Sequence, residues 1–138
     1  MYELFEHEAD VGIRGLASSL EEAFAETAKA LFSVEVNIKK VKPLKKVTIK
    51  CEAQNLEELL VEWLNALLAQ ASLHDLVFSE FKVKIKEKDK RFELEGIAFG
   101  EKLKEEHEIK EEVKGATYAE LKVYKKNNTW IAQCIVDV

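Results

Sequence analysis

Proline occurs once and glycine five times in the 138 residues. With so few chain breakers there is no flexible linker and no low-complexity segment. Residues 1–138 therefore read as a single domain, within the usual size of roughly 100–200 residues. Cysteine is nearly missing too. Cys51 and Cys134 stand far apart in the chain, which excludes a Cys-x-x-Cys metal knuckle and a dense disulfide framework. The reading is two buried free thiols. The three histidines, His7, His74 and His107, lack zinc-ligand spacing. No apolar run approaches the ~20 residues of a membrane span. The start, Met1-Tyr2-Glu3, is not the basic-then-apolar pattern of a secretory signal. The expectation is a cytoplasmic protein with no membrane association. Positive charge is in deficit, with 21 Lys and Arg against 26 Asp and Glu. A chain that grips nucleic acid alone shows a basic face. Here the basic residues between Lys39 and Lys50 are offset by acidic stretches elsewhere, so any RNA is expected to be held through a partner.

What is present is the material of a folded domain. Hydrophobic residues make up 47% and charged residues 34%, a mix that excludes disorder. Lys and Glu dominate the charged set, a bias associated with proteins from hot environments, thermophiles among them. Residues 2–7 and 11–17 read as short strands around Ala9-Asp10. Leu20, Ala23, Phe24, Thr27, Ala28 and Leu31 recur at helical spacing, and Ser19 with Glu22 is a capping-box signature. Residues 34–46 read as a polar, Lys-rich loop. Val47, Ile49 and Cys51 alternate with polar residues as in a half-buried strand. Asn55 caps a second helix, whose wide stripe of Leu59, Leu60, Trp63, Leu64, Leu67 and Leu68 demands burial. That helix ends near residues 71–74. Phe81, Val83 and Ile85 alternate again, and Asp89-Lys90 turns the chain into Phe92, Leu94 and the 96–99 run. Residues 101–112 read as a solvated loop or frayed helix. Final strands over 113–124 and 129–137 are joined at Asn127-Asn128, a pair that tolerates a tight turn. The order implies an α+β fold, with two helices packed on a mainly antiparallel β-sheet. Phe24 and Trp63 are expected in the core.

Standard catalytic signatures are missing: no phosphate-binding loop, no dinucleotide fingerprint, no nucleophile elbow. What remains is ionisable residues at element ends: His7-Glu8-Ala9-Asp10 between two strands, Lys114 at a strand start, and Asp137 beside Val138. Two carboxylates with a terminal carboxylate make an all-oxygen set, which suits Mg²⁺, Ca²⁺ or Mn²⁺ better than zinc. A nearby lysine supplies a point charge for phosphate. Taken singly, Asp10 also suits a turn, Asp137 a solvated terminus and Lys114 an ordinary surface position, and His7 suits a structural or orienting role.

Several segments together resemble the archease family. Glu6-His7-Glu8-Ala9-Asp10-Val11 resembles its His-Thr-Ala-Asp segment, with Glu8 in place of threonine. Glu21-Glu22-Ala23-Phe24 and residues 55–64 are similar to its two helices, and Gly100-Glu101 to a Gly-Glu pair. Val113-Lys114-Gly115-Ala116-Thr117-Tyr118 resembles a Val-Lys-Ala-hydrophobic-Thr-Tyr strand, with Gly115 in place of alanine. Val136-Asp137-Val138 resembles the family's closing aspartate and aliphatic residue. Ala119 stands where many members have a histidine or another polar residue, and no role is assigned there. The resemblance implies an accessory protein, itself not an enzyme, that activates the RtcB-type RNA ligase of tRNA splicing by promoting its guanylylation and multiple turnover. It implies a divalent metal ion held by Asp10 and Asp137 with the end group of Val138, and a functional Lys114. It implies contact with tRNA only through the ligase. Two other classes stay in view: a stand-alone metal-dependent hydrolase, and a general chaperone or interaction module.

Overall fold

The computed structural model describes all residues, 1–138. Its strands are β1 (Tyr2–His7), β2 (Asp10–Ala17), β3 (Lys45–Ala53), β4 (Leu76–Lys88), β5 (Arg91–Lys102), β6 (Gly115–Ala116), β7 (Lys122–Lys126) and β8 (Thr129–Asp137). Its two helices are α1 (Leu20–Glu35) and α2 (Leu56–His74), with short 3₁₀ turns at Ile38–Lys40 and Glu105–His107. The strands form two sheets and every pairing is antiparallel. The first sheet runs β1-β2-β8-β6, and β7 shares the far edge of β8 with β6. The second runs β3-β5-β4.

Local chemistry sets the element starts. The Ser19 hydroxyl accepts the Glu22 N–H at 3.1 Å and the Asn55 side chain accepts the Glu58 N–H at 2.8 Å, satisfying donors that a helix start leaves unpaired. Both predicted two-residue turns form, with Asp89, Lys90, Asn127 and Asn128 all left-handed, as tight hairpins require. Helix α1 packs on β2 and β8 of the first sheet and on β4 of the second, while α2 packs on β3 and β5 and reaches β6. One apolar cluster of 31 buried residues runs through both sheets and both helices. Phe24 and Trp63 are fully buried in it, and the Trp63 indole N–H donates to the Phe24 carbonyl at 3.2 Å.

Three segments differ from the reading of the sequence. Residues 34–46 are not a plain polar loop: α1 continues to Glu35, and Val34, Val36, Ile38 and Val41 are buried. Apolar side chains alternate there with lysines, so composition hides the buried half. The 113–124 stretch is not one strand. It divides into β6 and β7, because the chain bends between them with Glu120 left-handed at φ 52°, and the Thr117 hydroxyl folds onto the Ile135 carbonyl at 2.9 Å. Residues 101–112 are mostly exposed, yet Glu101 and His107 are buried. The Glu101 carboxylate accepts the Lys42 N–H at 2.8 Å and lies 3.0 Å from His107 Nε2. The other ring nitrogen, Nδ1, accepts the Lys104 N–H at 3.0 Å, so Nε2 carries the proton and donates to Glu101. This clasp pins the charged segment to the body.

Candidate functional site

Strand register brings Asp10 and Asp137, far apart in sequence, to one end of the first sheet. In the β1–β2 hairpin His7 pairs with Asp10. Between β2 and β8 Val11 pairs with Val136, and continuing that register by one residue brings Asp10 opposite Asp137. On the other side of β8, Asp137 pairs with Gly115. Residues directly opposite one another project from the same face of a sheet, so His7, Asp10 and Asp137 form one cross-strand row. Lys114 is held beside it, its N–H donating to the Asp137 carbonyl at 2.7 Å.

This row lies on the face of the sheet turned away from α1. Gly15, on the opposite parity of β2, faces that helix, where a Cβ would overlap the Ala23 carbonyl and Thr27. The site-bearing face has its own packing. The Phe5 ring lies flat over Gly12, where any Cβ would overlap it, and the Arg14 guanidinium sits 4.4 Å from the centre of that ring. Arg14 also donates to Glu3 at 2.6 Å and to Gln133 at 2.8 Å. Proceeding along this face, a polar row (Glu3, Arg14, Gln133) gives way to an apolar row (Phe5, Gly12, Ile135) and then to the His7, Asp10, Asp137 row. The apolar row isolates the acidic residues from Arg14, the nearest fixed cation on the same face of β2.

Exposure grades across the site. Asp10 is half-buried, and Asp137 and Lys114 are exposed. His7 Nδ1 is buried and has no hydrogen-bond partner, an orphaned polar atom in the row that holds both aspartates. Glu8 occupies the turn with a left-handed backbone, φ 49°, and is exposed. No group of three or more His, Cys, Asp or Glu side chains converges tightly enough to enclose a cation. Asp10 and Asp137 offer carboxylate oxygens, the donor type that suits a hard divalent cation, and two carboxylates would make only part of its shell. Mg²⁺ in particular is held by one or two carboxylates and completed by water or substrate phosphates.

Two features escaped the sequence reading. Ala119, to which no role was assigned, contributes its carbonyl, which accepts the Ile135 N–H at 3.0 Å. Together with the bond from Gln133 to the Glu120 carbonyl at 3.1 Å, this ties the 117–121 bend to β8. Glu101 is the second. Its backbone bond from Lys42 and the proton of His107 hold its carboxyl far below the usual range, at about 2. A Gly-Glu pair gives no hint of this without the fold. The two cysteines are free, as expected, but only Cys134 is buried, and Cys51 is half-buried. Burial pushes the Cys51 thiol up to about 11 and the Cys134 thiol to about 12, which removes both as nucleophiles near neutral pH.

Comparison with known proteins gives a consistent result over the whole length. The model of the Archease protein family (MTH1598/TM1083) matches residues 2–138. A protein archease of Pyrococcus furiosus is 45% identical over 139 residues, covering 99% of this chain and 98% of the relative. That of Thermococcus kodakarensis is 42% identical with the same coverage. Among solved structures, the solution structure of protein 1598 of Methanobacterium thermoautotrophicum superposes with a TM-score of 0.87 at 34% identity, covering 99% of this chain and 98% of that one. The crystal structure of a Thermotoga maritima protein, described as an archease and possible chaperone, shares the fold with a TM-score of 0.60 at 17% identity, covering 100% of this chain and 98% of that one. By its sequence along nearly its full length and by its fold, this chain belongs to the archease family.

Proposed function

We propose that this protein is an accessory activator of an RtcB-type RNA ligase, promoting guanylylation and turnover of the ligase without bond-making chemistry of its own. The observation that carries this reading is the cross-strand row of His7, Asp10 and Asp137 with the Lys114 backbone alongside, a partly exposed and incomplete set of ionisable groups assembled by the fold. Asp10 and Asp137, with the end group of Val138, would hold a divalent cation (Ca²⁺, Mg²⁺ or Mn²⁺). Bound there, it would supply positive charge opposite phosphate oxygens as negative charge builds on them. The residues do the positioning. The hairpin fixes Asp10 against β8, the backbone bond from Lys114 to Asp137 fixes the third strand, and the Lys114 ammonium offers a second point charge for phosphate. Water and the ligase-bound nucleotide would fill the open side. RNA contact then belongs to the ligase, in keeping with the net charge of −5.

The test is guanylylation of the cognate ligase with and without this protein, beside Asp137→Ala and Lys114→Ala. The expected result is acceleration by wild type and loss of most of it, on the order of tenfold or more, in each variant. No acceleration by wild type under working metal and GTP conditions sinks the proposal. A second reading, general chaperone action, is favoured by the description of the Thermotoga maritima relative. It predicts suppression of aggregation of unrelated clients that survives Asp10→Ala and Asp137→Ala.

A further inference from the structure

A groove separate from the Asp10–Asp137 row opens between the C-terminal ends of α1 and α2 and the segment from Leu103 to Val113. Its volume is about 340 Å³, within the ~300–1,000 Å³ range of ligand pockets. The floor is apolar, built from Val36, Leu68, Val77 and Val113. Two apolar side chains stand up at its wall and stay exposed, Leu103 at 39% and Ile109 at 56%.

The charge of the groove is one-sided. Glu35, Asp75, Glu111 and Glu112 line it, and no lysine, arginine or histidine does. None of the four takes part in an ion pair. Glu35 is half-buried and its carboxyl sits above the usual range, first through burial and then through the neighbouring charge of Glu112, against the bond it accepts from the Val113 N–H. Two carboxylates of the adjoining 105–108 stretch do find cations, Glu108 meeting Lys40 and Glu106 meeting Lys104. An apolar trough rimmed by uncompensated carboxylates is complementary to a chain segment that brings both an apolar anchor and positive charge. The groove is rigidly placed, because the Lys110 N–H donates to the Glu35 carbonyl at 2.8 Å and the Val113 N–H to the Glu35 carboxylate at 3.0 Å. Its last lining residue, Val113, is bonded directly to Lys114 at the edge of the candidate site.

We propose that this acidic groove is a docking site for a segment of a partner protein in which lysine or arginine side chains flank one large apolar side chain. On the reading above, which this inference rests on, the partner is the RNA ligase. The groove then anchors the ligase one residue from Lys114 and sets the register in which the charged row meets the nucleotide.

The experiment measures calorimetric affinity and guanylylation with the full-length protein and the cognate ligase, using four variants. Ile109→Arg and the pair Glu111→Lys with Glu112→Lys alter exposed groove residues. The pair Glu105→Lys with Glu106→Lys makes the same charge change on the exposed turn outside the groove. Asp137→Ala alters the row alone. Thermal melts by circular dichroism establish that each variant is folded. The groove variants are expected to weaken binding by about tenfold or more, the outside pair by less than about twofold, and wild-type binding is expected to fall with added salt. Asp137→Ala is expected to bind while failing to activate. If wild type binds and activates but both groove variants bind as tightly as it does, the docking proposal falls while the accessory reading stands. If wild type neither binds nor activates, the accessory reading fails and takes this partner with it. If wild type sediments as a dimer that Ile109→Arg disperses, the groove is occupied by a second copy and the proposal is overturned.

Discussion

Glu101 shows how much one side chain can decide. Its carboxylate is 5% exposed and accepts from the Lys42 backbone, His107 Nε2 and the Lys104 ammonium. The folded carboxyl titrates at about 2 against an ordinary value of 4.5, so it favours the folded state at all pH above about 4.5. That contribution is lost as pH falls from 4.5 toward 2. Replacing Glu101 with Gln keeps the shape and removes the charge. Urea midpoints of wild type and Glu101→Gln are therefore expected to differ most at neutral pH and to converge as pH drops through this window. A gap that stays constant down to pH 2 would assign the effect to packing. The family resemblance marks Glu101 only as half of a Gly-Glu pair and nothing marks His107, because both sit in a run of charged residues. Only the fold separates the two that are buried from their solvated neighbours.

At the scale of elements, the helices were legible and the strand breaks were not. Ser19 and Asn55 announce their helices because a cap is a local event, decided within four residues. Ala at either position is expected to cost ~1 kcal/mol, and the double variant ~2, since distant sites add. Chemical denaturation checks both, and a double variant no less stable than the singles would show that the caps do not act independently. The split between β6 and β7 was hidden for the opposite reason. The break rests on Thr117, Ala119 and Glu120 finding partners on β8, and nothing within the segment itself specifies that. The site shows the same division. Asp10, Lys114 and Asp137 stood out as ionisable residues at element ends and took their roles from the family resemblance, while the shared row, the orphaned His7 nitrogen and the acidic groove depend on strand register and helix packing.

For the whole molecule, the two sheets are distinct in hydrogen bonding but continuous in their apolar interior. The 31-residue cluster contains Ile13 and Ala132 of the first sheet, Leu94 and Ala98 of the second, and side chains of both helices. Removing one sheet would strip cover from the other, so unfolding is expected to be a single cooperative transition. Trp63 is fully buried in the shared core, whereas Trp130 belongs to β8. In a Trp130→Phe variant, fluorescence therefore reports on Trp63 alone. Its urea transition should coincide with that of far-UV circular dichroism, and separated midpoints would mean that the sheets melt independently.

The central position of β8 carries a consequence for synthesis. It pairs with β2, β6 and β7, yet it is made after all three, and the whole second sheet is made between β2 and β8. Such distant pairings close slowly, so the β1–β2 hairpin waits with an open edge while α1, α2 and the second sheet can already gather. The row of His7, Asp10 and Asp137 does not exist until β8 has been made and has paired with β2. A partner that recognises that row would engage only copies in which β8 has closed onto β2, and so is guarded from partly folded ones by the order in which the strands are made.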